Sequence, residues 1–226
     1  MITTKAEIRV EKKIGNTLFL LSVTLQRYKQ WIPGMFMQLS LTERTASEPW
    51  LNGHSFSFAS WGSEKASILV RKEGAFTTEL IRRSMEGFTT TVRYPFGDFL
   101  LNSSKSKVLL AGGAGISVFL SYLDFINLSE TRLEDVFLFH NTKNNSESVE
   151  SIYSNNIPNF VSVRSFITSV GESGYTGRFT IDDLIATISD LKDKEYFVCG
   201  PPKFNSYWKD KLKNLQINPK VEQWEN

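Results

Sequence analysis

The sequence predicts two domains of different class: an antiparallel β-barrel, then an α/β domain with a parallel sheet. Short strand-like runs with turn residues between them fill the first half of the 226 residues, and strands alternate with helices in the second half. A polar run at residues 101–107, LNSSKSK, separates the halves. Closely spaced short strands favour an antiparallel barrel, whereas alternating strands and helices are typical of parallel sheets. We therefore expect domains at 1–103 and 104–226.

In the first half, runs rich in β-forming residues lie between Gly, Pro, Asn or Ser and predict strands. They are TLFLLSVTLQ, GMFMQLSL, HSFSFAS, ASILVRK and GFTTTVRY. One helix is predicted at residues 77–86, because Leu80, Ile81 and Met85 share one face at helical spacing.

The second half contains four strand–helix pairs. KVLLA precedes ISVFLSYLDFI, DVFLFH precedes a Ser/Glu-rich helical stretch, FVSVRSFI precedes TIDDLIATIS, and EYFVC precedes PKFNSYWKDKLKNL. Thr180 can cap the third of these helices with Asp183 in its first turn. Pro202 suits the first turn of the last one. We find no internal repeat.

Composition excludes several classes of function. The 26 basic and 24 acidic residues are interspersed, so we expect no nucleic-acid partner. A single cysteine excludes a disulfide framework and a Cys-ligated cluster, and two histidines argue against a zinc site, so we predict no metal. The N-terminus lacks the apolar core of a signal peptide, and the most apolar stretch is shorter than the roughly 20 residues of a membrane span. We therefore expect a cytoplasmic protein without a membrane span.

That apolar stretch, VLLAGGAGISVFLSYL at residues 108–123, has three glycines within four positions. Glycines between a buried strand and a helix suit a pyrophosphate at the helix N-terminus, but they equally suit tight backbone packing, and the residues alone leave both interpretations open. The stretch is not a Walker loop, and Val118 replaces the last glycine of G-x-G-x-x-G. A methyltransferase turn is disfavoured, because the strand ends in Leu110 and Ala111 rather than near an acidic residue.

Further segments, in order, resemble the ferredoxin–NADP reductase-like flavoprotein reductases over essentially the whole chain. WIPGMFMQLSL is similar to the family's Pro-Gly strand start, GHSFSFAS to its Arg-x-Tyr/Phe-Ser, and RKEGAFTTEL to its Gly-x-x-Ser/Thr turn. YPFGDF is similar to Gly-Pro-Phe/Tyr-Gly, YFVCGPPKF to Cys-Gly-Pro, and VEQW to the Glu-x-aromatic ending. The glycine stretch falls where the family has Ala-Gly-Gly-Thr-Gly-Ile. HSFS resembles most the His-Pro-Phe-Ser/Thr variant of the branch with ferric reductases and NADPH oxidases.

The resemblance implies a Greek-key barrel that binds FAD and a Rossmann-like domain that binds NADH or NADPH. Phe56 would pack on the flavin, Ser57 would donate to its N5 atom, and His54 would bind the pyrophosphate. The implied cofactor-binding residues of the barrel are His54, Phe56, Ser57, Phe58, Arg71, Gly74, Ala75, Phe76, Thr77 and Thr78. Without the resemblance, Phe56 could be a core aromatic, His54 a structural histidine and Thr77 an ordinary helix cap.

In the second domain, the resemblance implies a pyrophosphate cradle and a nicotinamide site. The implied cofactor-binding residues are Gly112, Gly113, Gly115, Ile116, Ser117, Lys143, Gly200 and Pro201, with Trp224 closing the flavin face. The implied catalytic residues are Ser57, Cys199 and Glu222. Lys143 is the cation available to bind the 2′-phosphate of NADPH. No acidic residue precedes it to bind the ribose hydroxyls of NADH, so the choice between NADH and NADPH as electron donor stays open.

The implied function is hydride transfer from NAD(P)H to FAD, followed by electron transfer to a redox partner such as ferredoxin, flavodoxin, or an iron–sulfur or haem protein. One alternative is an electron-transfer subunit active only within a larger complex. The corresponding subunit of dihydroorotate dehydrogenase looks similar in layout, but this chain lacks its cysteine cluster. Another alternative is a non-catalytic nucleotide-binding regulator, which the departures from the family pattern at His54, Ala114 and Val118 would favour.

Overall fold

The structure, a computed structural model, describes residues 1–50, 52–129, 135–153, 156–168 and 175–222. The chain forms two compact units. The first unit comprises Met1–Asn102 with Leu120–Phe125, and the second comprises Ser103–Phe119 with Ile126–Asn226. The division into an FAD domain and a nucleotide domain at residue 103 stays a prediction.

Six antiparallel strands form the first unit. They are β1 (Ile2–Ile14), β2 (Leu18–Leu25), β3 (Phe36–Leu39), β4 (His54–Ser57), β5 (Lys65–Arg71) and β6 (Phe88–Phe96). Their order in the sheet is β4-β3-β6-β1-β2-β5. Phe58, directly after β4, bridges Ile68 of β5, so the two edges of the sheet meet and the barrel is nearly closed. The predicted antiparallel barrel is confirmed.

Apolar side chains from several strands fill the barrel. The Trp31 ring stacks on Phe58 with 4.0 Å between ring centroids, and Tyr94 meets Trp31 edge to face. All three residues are buried. Such a packed interior gives rigid support to β4, the strand that carries the predicted flavin motif.

The helix of this unit, α1 (Ala75–Glu86), starts two residues before the predicted one. Leu80 and Ile81 are buried, as predicted, but Met85 is 58% exposed and the prediction for its side chain was wrong. Ser84 takes the buried position instead, and its hydroxyl donates to the Leu80 carbonyl at 2.7 Å, which satisfies the hydroxyl inside the fold.

The second unit contains a six-stranded sheet in which all neighbouring strands are parallel. Its strands are β7 (Lys107–Gly112), β8 (Val136–Thr142), β9 (Val161–Ile167), β10 (Tyr175–Thr176), β11 (Glu195–Cys199) and β12 (Lys220–Glu222). The helices that follow its strands are α2 (Ser117–Leu128), of which Leu120–Phe125 belongs to the first unit, α3 (Val149–Ile152), α4 (Ile181–Thr187) and α5 (Pro202–Asn214). The predicted parallel α/β architecture is confirmed.

The strand order β10-β9-β8-β7-β11-β12 reverses direction at β7. The chain moves from β7 towards one edge and then returns to place β11 on the other side of β7. In sheets of this kind, ligands bind in the crevice at the carboxyl ends of the strands where the order reverses. The topology therefore predicts a ligand site at the carboxyl ends of β7 and β11, where the glycine stretch and Cys199 lie.

Two helix-start predictions agree with the structure. The Asp183 carboxylate accepts the Thr180 N–H at 2.7 Å at the start of α4, and α5 begins at Pro202. The Ser/Glu-rich stretch is less regular than predicted: a 3₁₀ turn over Asn145–Glu147 leads to the four-residue helix α3. Among the residues that the structure describes, no helix is both long and apolar enough to cross a membrane.

Candidate nucleotide-binding sites

Ser57 is the most informative residue of the first unit. It ends β4 and is 5% exposed, and its Oγ has no hydrogen-bond partner among the described residues. A buried hydroxyl without a partner costs about 1–3 kcal/mol, so an isolated one in a folded protein calls for an explanation. A ligand acceptor that meets this hydroxyl would remove that cost.

An aromatic cluster links β4 to the first turn of α1. The His54 ring stacks on the Phe76 ring with 3.7 Å between centroids and 18° between planes. Phe56 lies 6.2 Å from Phe76 on the same side of β4 as His54, since side chains alternate along a strand. His54 is exposed and the two phenylalanines are half-buried, so the cluster is accessible to a ligand.

The N-terminus of α1 is capped by its own first turn. Thr77 Oγ1 accepts the N–H groups of Glu73 and Gly74 at 3.0 and 3.1 Å, so this threonine is a helix cap, as one interpretation held. Thr78 already donates its N–H to the Gly74 carbonyl at 3.0 Å. The first N–H groups of a helix have no intrahelical partner, which leaves those of Ala75, Phe76 and Thr77 for an anion. A Cβ added at Gly74 would meet nothing within 4 Å, so the space before the helix is open.

Two other residues of this unit that were predicted to bind the cofactor, Arg71 and Phe58, lie outside the aromatic cluster and the helix N-terminus. Arg71 is half-buried at the end of β5 and donates to Thr17 Oγ1 at 2.9 Å. The Phe58 side chain is fully buried against Trp31 inside the barrel, so a ligand on the surface could reach only its backbone. The structure thus makes Phe58 a core residue.

In the second unit, the predicted glycines lie where backbones approach each other closely. A Cβ at Gly115 would lie 2.3 Å from the Cys199 carbonyl oxygen, and a Cβ at Gly200 or Gly112 would collide with the Phe204 ring at 2.7 or 2.9 Å. Gly113 has a φ of +54°, in the left-handed region that favours glycine. Tight packing therefore requires these glycines, whether or not they also serve a ligand.

The same packing places a turn at the carboxyl edge of the sheet. After β7, a 3₁₀ turn over Gly113–Ile116 leads into α2 at Ser117. Gly113, Ala114 and Gly115 are half-exposed, whereas Ile116 and Ser117 are buried. The part of the turn that a nucleotide could contact is therefore its first three residues.

Cys199 and Glu222, both predicted as catalytic, are brought together. Cys199 is fully buried at the end of β11, and Glu222 is its register partner on β12. Gly200 and Pro201 follow Cys199 at the same edge and are half-exposed and exposed, respectively. Trp224 lies outside the described residues.

Sequence reasoning missed His140, which lies on β8 two residues before the strand ends. Its ring is 1% exposed, and Nε2 lies 3.0 Å from the Gly113 carbonyl oxygen. Lys143, three residues later, is exposed. The signal that was available is a polar residue directly after the apolar run VFLF, at the strand end where ligands bind.

The pKa of one buried phenol in this unit is strongly shifted. Burial raises the pKa of Tyr196, on β11, to about 12. Its hydroxyl donates to the Leu191 carbonyl at 2.9 Å. Tyr196 lies on β11 three residues before Cys199, away from the carboxyl edge of the sheet. Its phenol therefore stabilises β11 and does not contribute to the candidate ligand site.

Comparisons with known proteins agree with this architecture, although no family model matches the sequence. The chain is 27% identical over 224 residues to the electron transfer component of 2-halobenzoate 1,2-dioxygenase from Burkholderia cepacia, which covers 93% of this chain and 63% of that protein. It is 27% identical over 190 residues to the anthranilate 1,2-dioxygenase electron transfer component from Acinetobacter baylyi, covering 78% and 53%. The chain thus spans less than two thirds of these relatives.

Among solved structures, a ferredoxin NADP⁺ reductase from Neisseria gonorrhoeae with bound FAD and NADP matches with a TM-score of 0.75. The match covers 97% of this chain and 98% of that one at 17% identity, which shows a shared two-domain fold. The chain therefore shares the fold of this FAD- and NADP-bound reductase, and the two curated relatives are electron transfer components of dioxygenases.

Proposed function

We propose that the chain is an FAD-dependent NAD(P)H oxidoreductase that delivers electrons to a redox partner. The observation that carries this proposal is the buried Ser57 hydroxyl, which has no partner among the described residues and ends the strand with the flavin motif. The proposal assigns the flavin N5 atom as its missing acceptor.

The first unit offers the groups that FAD needs. Phe56 and the stacked pair His54–Phe76 supply apolar and aromatic surface for a flat ring or its ribityl chain. The N–H groups of Ala75 to Thr77 and the positive end of the helix dipole suit a pyrophosphate. No acidic residue lies in the first turn of α1, which favours an anion there, and Glu73 lies just before the N-cap residue Gly74.

The second unit offers the groups that a nicotinamide dinucleotide needs. Its half-exposed turn at Gly113, Ala114 and Gly115 presents backbone N–H groups at the sheet edge. Cys199 ends β11, the neighbour of β7, Gly200 follows it, and Glu222 ends β12 on the far side of β11 at the same edge of the sheet. We assign the pyrophosphate to the turn and the nicotinamide to the end of β11.

When bound, FAD accepts a hydride from NAD(P)H and passes electrons on, and the protein supplies binding and alignment. Ser57 would hold the ring by one hydrogen bond, and the packed glycines would let the dinucleotide approach the backbone. No protein general base is needed for hydride transfer to a flavin.

A second candidate function is that of an electron-transfer subunit that acts only with a partner protein. The observation that favours it is the role of the two curated relatives, each an electron transfer component of a dioxygenase. We also propose that the flavin motif is of the histidine type found in the branch with ferric reductases and NADPH oxidases. The exposed, stacked His54 supports this, since its ring has a rigid support in Phe76.

The test is an anaerobic visible spectrum of the purified protein, before and after addition of NADH and then of NADPH. We expect a flavin spectrum that one nucleotide bleaches, which would also identify the donor. A protein that stays colourless after incubation with FAD would refute the flavoenzyme. A flavin spectrum that neither nucleotide bleaches until a co-purified partner is present would favour the subunit.

A further inference from the structure

We propose that His140 is a positioning residue for the dinucleotide: it holds the Gly113 carbonyl so that the Ala114 N–H faces the pyrophosphate. This inference rests on the proposed function. It starts from a contact at the carboxyl edge of the sheet: His140 lies on β8, two residues before its last residue, and its Nε2 is 3.0 Å from the carbonyl oxygen of Gly113, just after β7.

The direction of this hydrogen bond follows from the partner. A carbonyl oxygen only accepts, so His140 Nε2 carries a hydrogen and donates it. The imidazole ring is 1% exposed, so water does not compete for the bond. A buried, well-directed hydrogen bond of this kind fixes the orientation of the carbonyl that it contacts.

The orientation of the Gly113 carbonyl also fixes the N–H of the next residue. The peptide bond is planar and trans, so its C=O and N–H point in opposite directions. If the Gly113 oxygen points at His140, the Ala114 N–H points away from His140. Gly113 has a φ of +54° and no side chain, so without such a contact this peptide can rotate more freely than its neighbours.

The exposure of the turn fits this arrangement. Gly113 and Ala114 are half-exposed, while the histidine that holds them is buried behind them. Ala114 is the second residue of the 3₁₀ turn that leads into α2, and the first N–H groups of a helix lack intrahelical partners. His140 therefore preorganises one anion-binding N–H without itself touching the nucleotide.

The experiment compares His140→Gln, His140→Met and the native full-length protein loaded with FAD. Glutamine places an amide N–H near the position of Nε2, whereas methionine has similar length and no donor. We would measure the affinity for ADP-ribose by calorimetry, which needs no turnover, and KM and kcat for the nucleotide that reduces the native protein. Loss of one hydrogen bond predicts roughly a 3- to 10-fold weaker affinity and higher KM for His140→Met, with kcat within about twofold.

We expect His140→Gln to bind ADP-ribose within about twofold of the native protein, because the donor is retained. Equal affinity of His140→Met and the native protein would overturn the inference, as would a glutamine variant as weak as the methionine variant. If His140→Met does not fold, His140→Asn replaces it, since its amide is too short to reach the carbonyl. Native protein that binds ADP-ribose but is not reduced by either nucleotide would refute the proposed function and leave the role of His140 measurable.

Discussion

Cys199 and Glu222 are register partners on the neighbouring parallel strands β11 and β12. Register partners project to the same face of a sheet, so these two residues lie side by side at its carboxyl edge. The short strand β12 is held by α5, where Asn205 Nδ2 donates to the Glu222 carbonyl at 2.7 Å. Asn205 is 1% exposed and its Oδ1 has no partner among the described residues.

Replacing Asn205 by leucine should loosen β12. The Glu222 carbonyl would lose a buried donor, which costs about 1–3 kcal/mol of stability. We expect faster hydrogen exchange at Val221 and Glu222 and a lower free energy of unfolding. Asn214→Leu, at the exposed end of the same helix, is the control. Unchanged exchange in β12 would show that the amide does not anchor the strand.

Replacing Ser57 by alanine should affect activity and stability in different ways. The Ser57 hydroxyl has no hydrogen-bond partner among the described residues, so its removal from the flavin-free protein should leave the free energy of unfolding unchanged or raise it by up to about 3 kcal/mol. Loss of a hydrogen bond to the flavin should slow reduction by NAD(P)H roughly tenfold. Ser55→Ala, two residues earlier on the same face of β4, should leave the rate unchanged. Equal rates for Ser57→Ala and the native protein would contradict the proposed role.

A methyl group at Gly115 should be harmful, whereas one at Gly74 should be tolerated. The Gly115 Cβ would lie 2.3 Å from the Cys199 carbonyl oxygen, so the turn after β7 and the end of β11 must separate, at a cost of about 1–3 kcal/mol. Gly74→Ala meets open space and has an extended backbone, so we expect a cost below about 1 kcal/mol, mainly from a poorer helix cap. Thermal unfolding should give a lower melting temperature for Gly115→Ala than for Gly74→Ala. Similar melting temperatures would contradict the steric argument.

His54→Arg should bind FAD more tightly than the native protein. A guanidinium can stack on Phe76 as the imidazole does, and it can also donate two parallel hydrogen bonds to a phosphate. We expect a Kd for FAD lower by roughly 3- to 10-fold, measured by quenching of flavin fluorescence. His54→Lys adds a positive charge but lacks the planar group that donates two parallel hydrogen bonds, so its affinity for FAD should rise less than that of His54→Arg. Weaker FAD binding by His54→Arg would place the pyrophosphate away from this position.

The buried phenol of Tyr196 should make the fold sensitive to alkali. Burial raises the pKa of Tyr196 to about 12, whereas the pKa of a tyrosine in the unfolded chain is about 10. The protonated phenol therefore contributes its full stability below the lower value, and this contribution is lost as pH rises through the higher one. Denaturant unfolding over this pH range should show a shallower decline for Tyr196→Phe than for the native protein. Tyr207→Phe, at an exposed position on α5, should behave like the native protein.

The sequence was sufficient for the two architectures, because runs of β-forming residues and strand–helix alternation are local patterns. It was insufficient for β1, where Lys5, Glu7 and Arg9 on the exposed face alternate with buried Ala6 and Ile8 and obscure the apolar signal. Charged outward positions of this kind are ordinary for a strand with one solvated face.

Contacts between distant residues were beyond sequence reasoning. His140 meets Gly113 only because β8 and β7 are neighbours, and Asn205 meets Glu222 only because α5 packs beside β12. Likewise, the choice between a phosphate turn and tight packing could not be made from the glycines themselves, because the atom that excludes a side chain at Gly115 belongs to Cys199.

The steric need for Gly112, Gly115 and Gly200 has a consequence for how such chains are recognised in genomes. A descendant that had lost its redox activity would still require these glycines to keep β7, β11 and α5 in contact. Surveys that score the glycine motif would therefore report inactive descendants and working reductases alike. A survey meant to separate them should weigh residues that the fold does not require, such as Ser57, whose hydroxyl has no partner in the part of the chain that the structure describes.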